Sequence, residues 1–272
     1  MTAAAGRVVV VTGGTRGIGL GLARELLARD CRVVVCGRSA AGVDAAVADL
    51  AGGAGPDRVT GLATDVTSRV QMQVLWDHAV ATYGRVDVWI NNAGLSAPRR
   101  PLPEVSEETV SAVVAANLIG VTNGCAVALP GMQAQPEGGW IWNMEGFGSG
   151  GQKQPGMTTY GATKRAVTYL TESLVKETKD GNVKVGFLSP GIVATDLLTD
   201  DYDGQPEAFE KARRIFNILG DRVETVTPWL AQHLLAANKS GARVAWLTTP
   251  KAMGRFMTAG FKKRDIFAEA GA

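Results

Sequence analysis

Seven short runs rich in β-branched residues recur along this chain of 272 residues, and stretches with helical periodicity separate them. The runs are "RVVVVT" from Arg7, "CRVVVCG" from Cys31, "RVTGLAT" from Arg58, "RVDVWINN" from Arg85, "WIWNM" from Trp140, "NVKVGFLS" from Asn182 and "ARVAWLT" from Ala242. Runs that are apolar on both faces are typical of parallel strands that helices cover on each side. Their alternation with helices predicts an α/β fold with a doubly wound, seven-stranded parallel sheet.

No repeat, low-complexity tract or linker interrupts this alternation, and single α/β domains often reach about 250 residues. We therefore expect one domain over residues 1–249 and a C-terminal tail over residues 250–272. Two loops rich in Pro, Asp and Gly, Ala97–Glu104 and Thr199–Glu207, follow strands and are expected at the carboxyl edge of the sheet, where ligands bind. The helices expected between strands include Gly17–Asp30, Ser68–Tyr83, Glu104–Asn117, Thr159–Lys179 and Glu224–Asn238.

Charge and composition exclude several classes of function. The 28 basic and 26 acidic residues nearly cancel, so nothing favours a nucleic acid partner. The three cysteines form no C-x-x-C pair and only two histidines are present, so we expect no metal and a reducing compartment. We see no signal peptide pattern, and no run approaches the roughly 20 apolar residues of a membrane span. These features predict a cytoplasmic protein, or a soluble protein of an organellar stroma if a transit peptide has been removed.

Three glycines stand between the first strand and the first helix in "TGGTRGIG". Glycine permits a tight turn and close approach to a pyrophosphate, whose charge the N–H groups and dipole of a helix N-terminus stabilise. The spacing, G-x-x-x-G-x-G, matches the commoner G-x-G-x-x-G only loosely, and a purely structural turn is the alternative. The position after the first strand nevertheless favours a dinucleotide site, formed by Gly13, Thr15, Arg16, Gly17, Ile18 and Gly19.

The end of the second strand indicates which dinucleotide is bound. It reads "CGRS", with Arg38 and Ser39 where NAD-binding versions carry an acid for the ribose 2′-hydroxyl. Arg38 and Arg16 would supply two cations and a planar fork for a 2′-phosphate. We therefore expect NADP(H), with two ordinary surface arginines as the alternative.

Tyr160 and Lys164 are four residues apart, which places them on one face of a helix. A phenol is a poor acid–base catalyst at neutral pH, but a nearby ammonium and a cationic nicotinamide lower its pKa. The pair could exchange a proton with a carbonyl or alcohol oxygen while hydride passes to or from the cofactor.

With these motifs the chain resembles the short-chain dehydrogenase/reductase family from Arg7 to Thr248. The matching segments are "TGGTRGIG", "TDV" from Thr64, "NNAG" from Asn91, "AANLIG" around Asn117, "YGATK" from Tyr160 and "SPGIVAT" from Ser189. The resemblance implies a Rossmann-type domain in which Asn117 holds a water that relays protons to Lys164, while Lys164 also binds the nicotinamide ribose. It further implies cofactor contacts at Asp65, Val66, Asn92, Ala93, Gly94, Tyr160, Lys164, Pro190, Gly191, Val193 and Thr195.

The family's serine, which donates a hydrogen bond to the substrate oxygen, has no direct counterpart. Counting back from Tyr160 reaches Phe147, and aligning the strand ends reaches Gly146. Ser149, in the glycine-rich loop that follows the fifth strand, is our candidate for a substitute donor. The alternatives are a backbone N–H group of this loop or the hydroxyl of Thr158 or Thr159.

The segment "NMEGFGSGG" is similar to a stretch of the chlorophyll(ide) b reductase branch, with Glu145 in place of an expected aspartate. That resemblance implies an NADPH-dependent reductase of the 7-formyl group of chlorophyll(ide) b, or of another bulky apolar aldehyde or ketone. A reductase or dehydrogenase of a steroid-like or polyketide-like ketone or alcohol is the alternative within enzymes. A non-catalytic NADP(H)-sensing protein is the alternative from another class, motivated by the missing serine.

The tail carries an apolar stripe at helical spacing, flanked by basic residues. The stripe is Met253, Phe256, Met257, Gly260 and Phe261, and the flanking residues are Lys251, Arg255, Lys262, Lys263 and Arg264. It is expected to pack on its own domain or on a second subunit as a lid, with peripheral contact with an anionic membrane as the alternative. The family resemblance implies a homodimer or homotetramer formed through helices Glu104–Asn117 and Thr159–Lys179.

Overall fold

The computed structural model describes residues 6–261 and 264–268. Its strands are β1 (Val8–Thr12), β2 (Arg32–Gly37), β3 (Val59–Ala63), β4 (Val88–Asn91), β5 (Gly139–Met144), β6 (Val183–Ser189), β7 (Val193–Ala194), β8 (Asp221–Arg222) and β9 (Arg243–Ala245). Seven of them form one parallel sheet in the order β3-β2-β1-β4-β5-β6-β9, and β7 pairs with β8 beside it. The predicted doubly wound, seven-stranded sheet is confirmed.

Helices cover both faces of this sheet. In chain order they are α1 (Gly17–Leu27), α2 (Ala40–Ala54), α3 (Arg69–Tyr83), α4 (Glu107–Val114), α5 (Gly120–Gln133), α6 (Thr158–Glu177), α7 (Asp196–Thr199), α8 (Pro206–Leu219), α9 (Val223–Ala236) and α10 (Thr249–Thr258). Successive residues of β1 enter different cores: Val9 and Val11 pack with α1 and α9, whereas Val10 packs with α3 and α5. Each of these fully buried valines contributes about 1.5 kcal/mol or more, so the β-branched runs stabilise both layers.

The predicted helix Glu104–Asn117 differs most from the observed one. It begins at Glu107, where the hydroxyl of Ser106 caps the first turn by accepting a hydrogen bond from Thr109 N. It does not end at Asn117 but passes through a π-helical turn, Ala115–Ile119, into α5. α5 contains glycine at Gly120 and Gly124, where the neighbouring side chains of Val66 and Asn91 leave no room for a Cβ.

The combined helix Glu107–Gln133 has 27 residues, and an 18-residue window within it has a mean hydropathy of 1.8; by length and composition it could cross a membrane. The expectation that no segment approaches this character is therefore wrong for this helix. Of its apolar window, 56% is buried inside the domain. The core helix of an α/β domain can be equally long, apolar and buried. The composition of this helix alone therefore does not assign it to a membrane.

The tail is attached to the domain by one buried carboxylate. Asp221 accepts a hydrogen bond from Trp246 Nε1 at 2.6 Å, pairs with Arg255 at 2.7 Å and also pairs with Arg264. Two of the predicted flanking arginines are therefore bound to the domain. Met253, Phe256, Met257 and Phe261 are exposed, while Lys262 and Lys263 lie outside the described residues.

A small third core joins the tail to the loop after β7. It contains Tyr202, Phe216 and Ile266, with Phe209 and Phe267 packed against them. The rings meet edge to face, with Tyr202 and Phe216 centroids 5.9 Å apart and Phe209 and Phe267 centroids 5.2 Å apart. The chain after the last strand therefore supports the loop Thr199–Glu207.

Candidate active site and dinucleotide cavity

The glycine loop between β1 and α1 is packed so closely that larger residues would not fit. A Cβ on Gly13 would lie 2.8 Å from Ala93 Cα, and one on Gly19 would lie 2.2 Å from Gly13 O. Gly13 and Gly17 also have φ of +63° and +54°, which glycine adopts without strain. Arg16 is the N-cap residue of α1, and its side chain accepts no hydrogen bond from the first turn of the helix. The backbone N–H groups of that turn can therefore bind an anion.

A cavity of about 910 Å³ opens beside this loop at the carboxyl edge of the sheet. Fourteen of the predicted cofactor residues line it: Gly13, Thr15, Arg16, Gly17, Ile18, Gly19, Arg38, Ser39, Asp65, Val66, Asn92, Ala93, Gly94 and Thr195. Its size, its glycine wall and the uncapped helix N-terminus fit a nicotinamide dinucleotide. Sequence reasoning missed the small residues of the wall, among them Ala112, Ala115 and Ala116, because alanines in a helix carry no distinguishing pattern.

Two cations stand at the end of the cavity near β2. Arg38 is exposed, and Arg16 pairs with Asp196 at 3.0 Å, both side chains being about two thirds exposed. The hydroxyl of Ser39 accepts a hydrogen bond from Gly42 N at 3.3 Å and so caps α2. The cavity therefore combines a cationic end with the N-termini of two helices.

The segment "NNAG" supports the glycine loop from the neighbouring strand. Asn92 Nδ2 donates to Thr12 O at 2.9 Å and to Gly13 O at 3.1 Å, and Thr12 Oγ1 accepts from the N–H groups of Asn92 and Ala93. Asp65 accepts hydrogen bonds from Thr67 N and Thr67 Oγ1, which shapes the turn after β3. These polar side chains fix backbone that faces the cavity.

Five of the predicted cofactor residues are not part of the cavity lining: Tyr160, Lys164, Pro190, Gly191 and Val193. Pro190 and Gly191 lie in the turn between β6 and β7, and Val193 begins β7. Gly191 has φ of +75°, and Val193 is buried in the core. Their observed contacts are structural, and the same turn presents Thr195 to the cavity, 3.3 Å from where a Cβ on Gly17 would lie.

Tyr160 and Lys164 lie in the first turns of α6, and their partner across the site is Gly146. A Cβ on Gly146 would lie 2.4 Å from Tyr160 Oη and 3.2 Å from Lys164 Cε. The strand-end alignment placed the family's serine at Gly146, and Gly146 is the position that faces Tyr160. The tyrosine hydroxyl occupies the space that a serine side chain at Gly146 would need.

The electrostatics of the pair follow from burial. Burial raises the pKa of Tyr160 above its usual value, Asp201 raises it further, and Arg99 opposes the rise. Burial lowers the pKa of Lys164 to about 8, while the carboxylate of Glu145 acts against that fall. Lys164 Nζ donates to Met144 O at 3.2 Å and stands 5.6 Å from the Tyr160 ring centroid. A protonated phenol beside a cation suits a general acid that protonates a carbonyl oxygen.

Asn117 is fully buried at the centre of the π-helical turn. Its Oδ1 accepts from Leu95 N at 2.7 Å, and its Nδ2 donates to Leu95 O at 2.8 Å and to Thr163 Oγ1 at 3.1 Å. The side chain thus ties α6 to the strand end after β4. Turns of this type recur at functional sites because they disturb the regular helical hydrogen bonds.

Ser149 is buried, but its hydroxyl is directed to the protein backbone. It accepts from Gly146 N at 3.1 Å and donates to Lys164 O at 3.3 Å. These bonds fix the glycine-rich loop against α6. In this structure the hydroxyl of Ser149, predicted as the substitute donor, therefore holds the backbone of Gly146 and Lys164 in place.

Two charged residues near Tyr160 were not expected from the sequence. Asp201 is buried, and its pKa is raised to about 6, chiefly by desolvation. Arg99 Nε lies 3.7 Å from Asp201 Oδ2, Arg99 N donates to Asp201 O at 3.0 Å, and the guanidinium lies 4.7 Å from the Tyr202 ring centroid. The two loops predicted to wall the pocket are thus linked to each other across the site. The only signal in the sequence was that each loop follows a strand.

Comparison with known proteins shows the family of this chain. The short chain dehydrogenase family model matches residues 7–206. Chlorophyll(ide) b reductase NOL, a chloroplastic protein of Oryza sativa subsp. japonica, is 38% identical over 258 residues, which are 92% of this chain and 74% of that protein. Probable chlorophyll(ide) b reductase NYC1, chloroplastic, of Arabidopsis thaliana is 35% identical over 97% of this chain, which spans only 55% of that longer protein.

Solved structures show the same architecture. ElxO with NADP bound is 26% identical, with a TM-score of 0.76 over 88% of this chain and 96% of that one. Levodione reductase, at 24% identity, also has a TM-score of 0.76 and shares the fold. The fold, the dinucleotide cavity and the Tyr–Lys pair therefore agree with the similarity in sequence, and the chain belongs to the short-chain dehydrogenase family, in its chlorophyll(ide) b reductase branch, as an NAD(P)-dependent oxidoreductase.

Proposed function

We propose that this protein uses NADPH to reduce a bulky apolar aldehyde or ketone, and that the 7-formyl group of chlorophyll(ide) b is its substrate. The observation that carries the proposal is the contact of Tyr160 with Gly146, which lies in the segment "NMEGFGSGG" that resembles the chlorophyll(ide) b reductase branch. The similarity to two chlorophyll(ide) b reductases over at least 92% of the chain supports the same substrate class.

The reaction converts the carbonyl to an alcohol by adding one hydride and one proton. When bound, the dinucleotide supplies the hydride. Tyr160 would donate its proton to the carbonyl oxygen, and the Lys164 ammonium would stabilise the phenolate that remains. Asn117 would hold α6 in place, and the linked loops of Arg99 and Asp201 would exclude water from the reacting carbonyl.

Arg38 and Arg16 support NADPH over NADH. Both arginines line the cavity near the end of β2. The end of β2 carries no acid that could bind a ribose 2′-hydroxyl. A guanidinium can form a bidentate, charge-assisted contact with a 2′-phosphate. Asp196, which pairs with Arg16, would be displaced or shared when the phosphate binds.

The direct test is incubation of the purified protein with NADPH and chlorophyllide b, followed by absorption spectroscopy for loss of the formyl group. Tyr160→Phe should lower turnover by about 10² to 10⁴-fold, because it removes the proton donor. Tyr83→Phe is the matched control, since Tyr83 ends α3 at the edge of the sheet opposite the site. Full turnover by Tyr160→Phe would refute the role of Tyr160. Turnover of other bulky ketones, with none of chlorophyllide b, would refute the substrate and leave the reaction class standing.

For assembly, we propose a homodimer or homotetramer formed through α4 and α6. The exposed side chains of Tyr169 on α6 and of Ile119 in the π-helical turn that follows α4 support a contact there. The attachment of Arg255 and Arg264 to Asp221 supports a tail that packs on its own domain or on a second subunit, rather than on a membrane. The chloroplastic relatives support the stromal location over the cytoplasmic one.

A further inference from the structure

Glu145 is a buried acid directly beside the Tyr–Lys pair, and the mechanism above gives it no role. Its side chain is 5% exposed. It follows Met144, whose carbonyl accepts the hydrogen bond from Lys164 Nζ, and precedes Gly146, which contacts Tyr160. Its N–H donates to Leu188 O at 2.7 Å, so this part of the chain is fixed to β6.

The carboxylate is held between the sheet and helix α6. Glu145 Oε1 lies 3.2 Å from Arg243 Nη2 and accepts from Thr168 Oγ1 at 3.5 Å. Thr168 is one turn after Lys164, so the carboxylate lies against the face of α6 that carries the lysine. Arg243 begins β9, and its guanidinium lies 4.5 Å from the Phe187 ring centroid, which sets its position beside Glu145.

Glu145 acts on the pKa of Lys164, and the surroundings of Glu145 set its own pKa. Burial lowers the pKa of Lys164 to about 8, and the negative charge of Glu145 opposes this. Burial raises the pKa of Glu145, and Arg243 is the first group that counteracts the rise, followed by hydrogen bonds from Ser189 and Thr168. The charged groups that face this pair or the adjoining phenol are Arg243, Glu172, Arg99 and Asp201.

We propose that Glu145, kept ionised by Arg243, is a positioning residue that maintains Lys164 as an ammonium ion beside Tyr160. This assignment rests on the proposed function only in that Lys164 assists the proton transfer. The charge pairing itself is a property of the free protein. An acid at this point of the glycine-rich segment therefore has a defined task, separate from contact with the substrate.

The first measurement needs neither cofactor nor substrate. Protein labelled with ¹³C-lysine is titrated by NMR, and the Lys164 Cε signal is assigned by its loss in Lys164→Arg. In Glu145→Gln, the titration midpoint of Lys164 should fall by about one pH unit, because an opposite charge nearby typically shifts a pKa by one unit or more. Glu145→Asp should restore most of the difference. Glu177→Gln, which alters an exposed acid at the far end of α6, should leave the midpoint of Lys164 unchanged.

The second measurement is the pH profile of kcat with an accepted carbonyl substrate. Loss of activity on the alkaline side should begin at lower pH in Glu145→Gln by the same amount. An unchanged Lys164 midpoint in a folded Glu145→Gln protein would overturn the inference. If that variant does not fold, Arg243→Gln serves instead and should lower the midpoint in the same direction, an unchanged value again counting against us. A shifted midpoint without reduction of chlorophyllide b would support the pairing and refute only the proposed substrate.

Discussion

Gly146→Ala is the substitution that most directly tests the arrangement of this active site. The new Cβ would stand 2.4 Å from Tyr160 Oη, whereas ordinary contact begins at about 3.4 Å, so the phenol must withdraw by about 1 Å. A second close approach, 3.2 Å to Lys164 Cε, restricts movement toward the lysine. Misplacing a catalytic group by about 1 Å costs on the order of 10²-fold in rate, which corresponds to about 2.7 kcal/mol in activation free energy.

Stability should fall only modestly. No positive φ constrains Gly146, so alanine adopts this backbone and gains about 0.4–1 kcal/mol by reducing the entropy of the unfolded chain. The crowding of Tyr160 and Lys164 costs about 1–3 kcal/mol. We expect kcat to fall about 10²-fold and Tm to fall slightly, while the Kd for NADPH stays close to the wild-type value. The assay is steady-state turnover, with thermal unfolding and nucleotide fluorescence measured on the same samples.

The control is Gly150→Ala, in the same loop, where a Cβ would meet only the flexible amide end of Gln152 and the residue is exposed. It should leave kcat unchanged. Gly146→Ser should behave like Gly146→Ala, because its Cβ meets the same obstruction before its hydroxyl can act. Wild-type kcat in Gly146→Ala, or a rise in kcat in Gly146→Ser, would show that the glycine does not make room for the tyrosine.

Three further predictions concern the cofactor, the loops and the lysine. Arg38→Ala should weaken NADPH binding about 10- to 100-fold and leave NADH binding unchanged, measured as Kd by fluorescence, whereas Arg32→Ala at the other end of β2 should change neither. Arg99→Met should raise KM for the carbonyl substrate about tenfold without altering the Kd for NADPH, since Asp201 loses the cation that links the loops; an unaltered KM would contradict that reading. The pKa of Lys164 in the folded protein lies at about 8, below its usual 10.5. Between these pH values the unfolded chain therefore binds more protons than the folded one. As pH rises from 8 to 10.5, the contribution of Lys164 to the free energy of unfolding should increase by about 3 kcal/mol. Lys164→Met should lack that gain when unfolding free energies are compared across the same range.

Sequence reasoning predicted the parts of this protein that local patterns determine. The runs that became β1, β2 and β5 are apolar on both faces because both faces are buried, and the glycine loop needs glycine at Gly13 and Gly19 for steric reasons. The Tyr160–Lys164 spacing sets a helix face whatever the rest of the chain does. These predictions depend on the backbone within a few residues, so a single sequence carries them.

What could not be predicted depends on contacts between distant segments. Ser149 looked like a hydroxyl free to enter the site, but two backbone groups bind it. The contact of Arg99 with Asp201 joins loops about a hundred positions apart, and no local pattern indicates it. The helix predicted to end at Asn117 continues into α5, where side chains from other segments fill the space beside Gly120 and Gly124, and no local pattern indicates this packing.

The aromatic cluster under the Thr199–Glu207 loop connects the tail to the active site. Phe267 touches Phe209 and Phe216, Phe216 touches Tyr202, and Arg99 lies over Tyr202, so ring contacts run from the tail to the cation near Tyr160. The family model, which matches residues 7–206, does not include the tail. Residues beyond that matched range therefore support the loop near Tyr160, so a substitution at Phe267 would alter the surroundings of Arg99 and Asp201 while leaving the Tyr–Lys pair itself untouched.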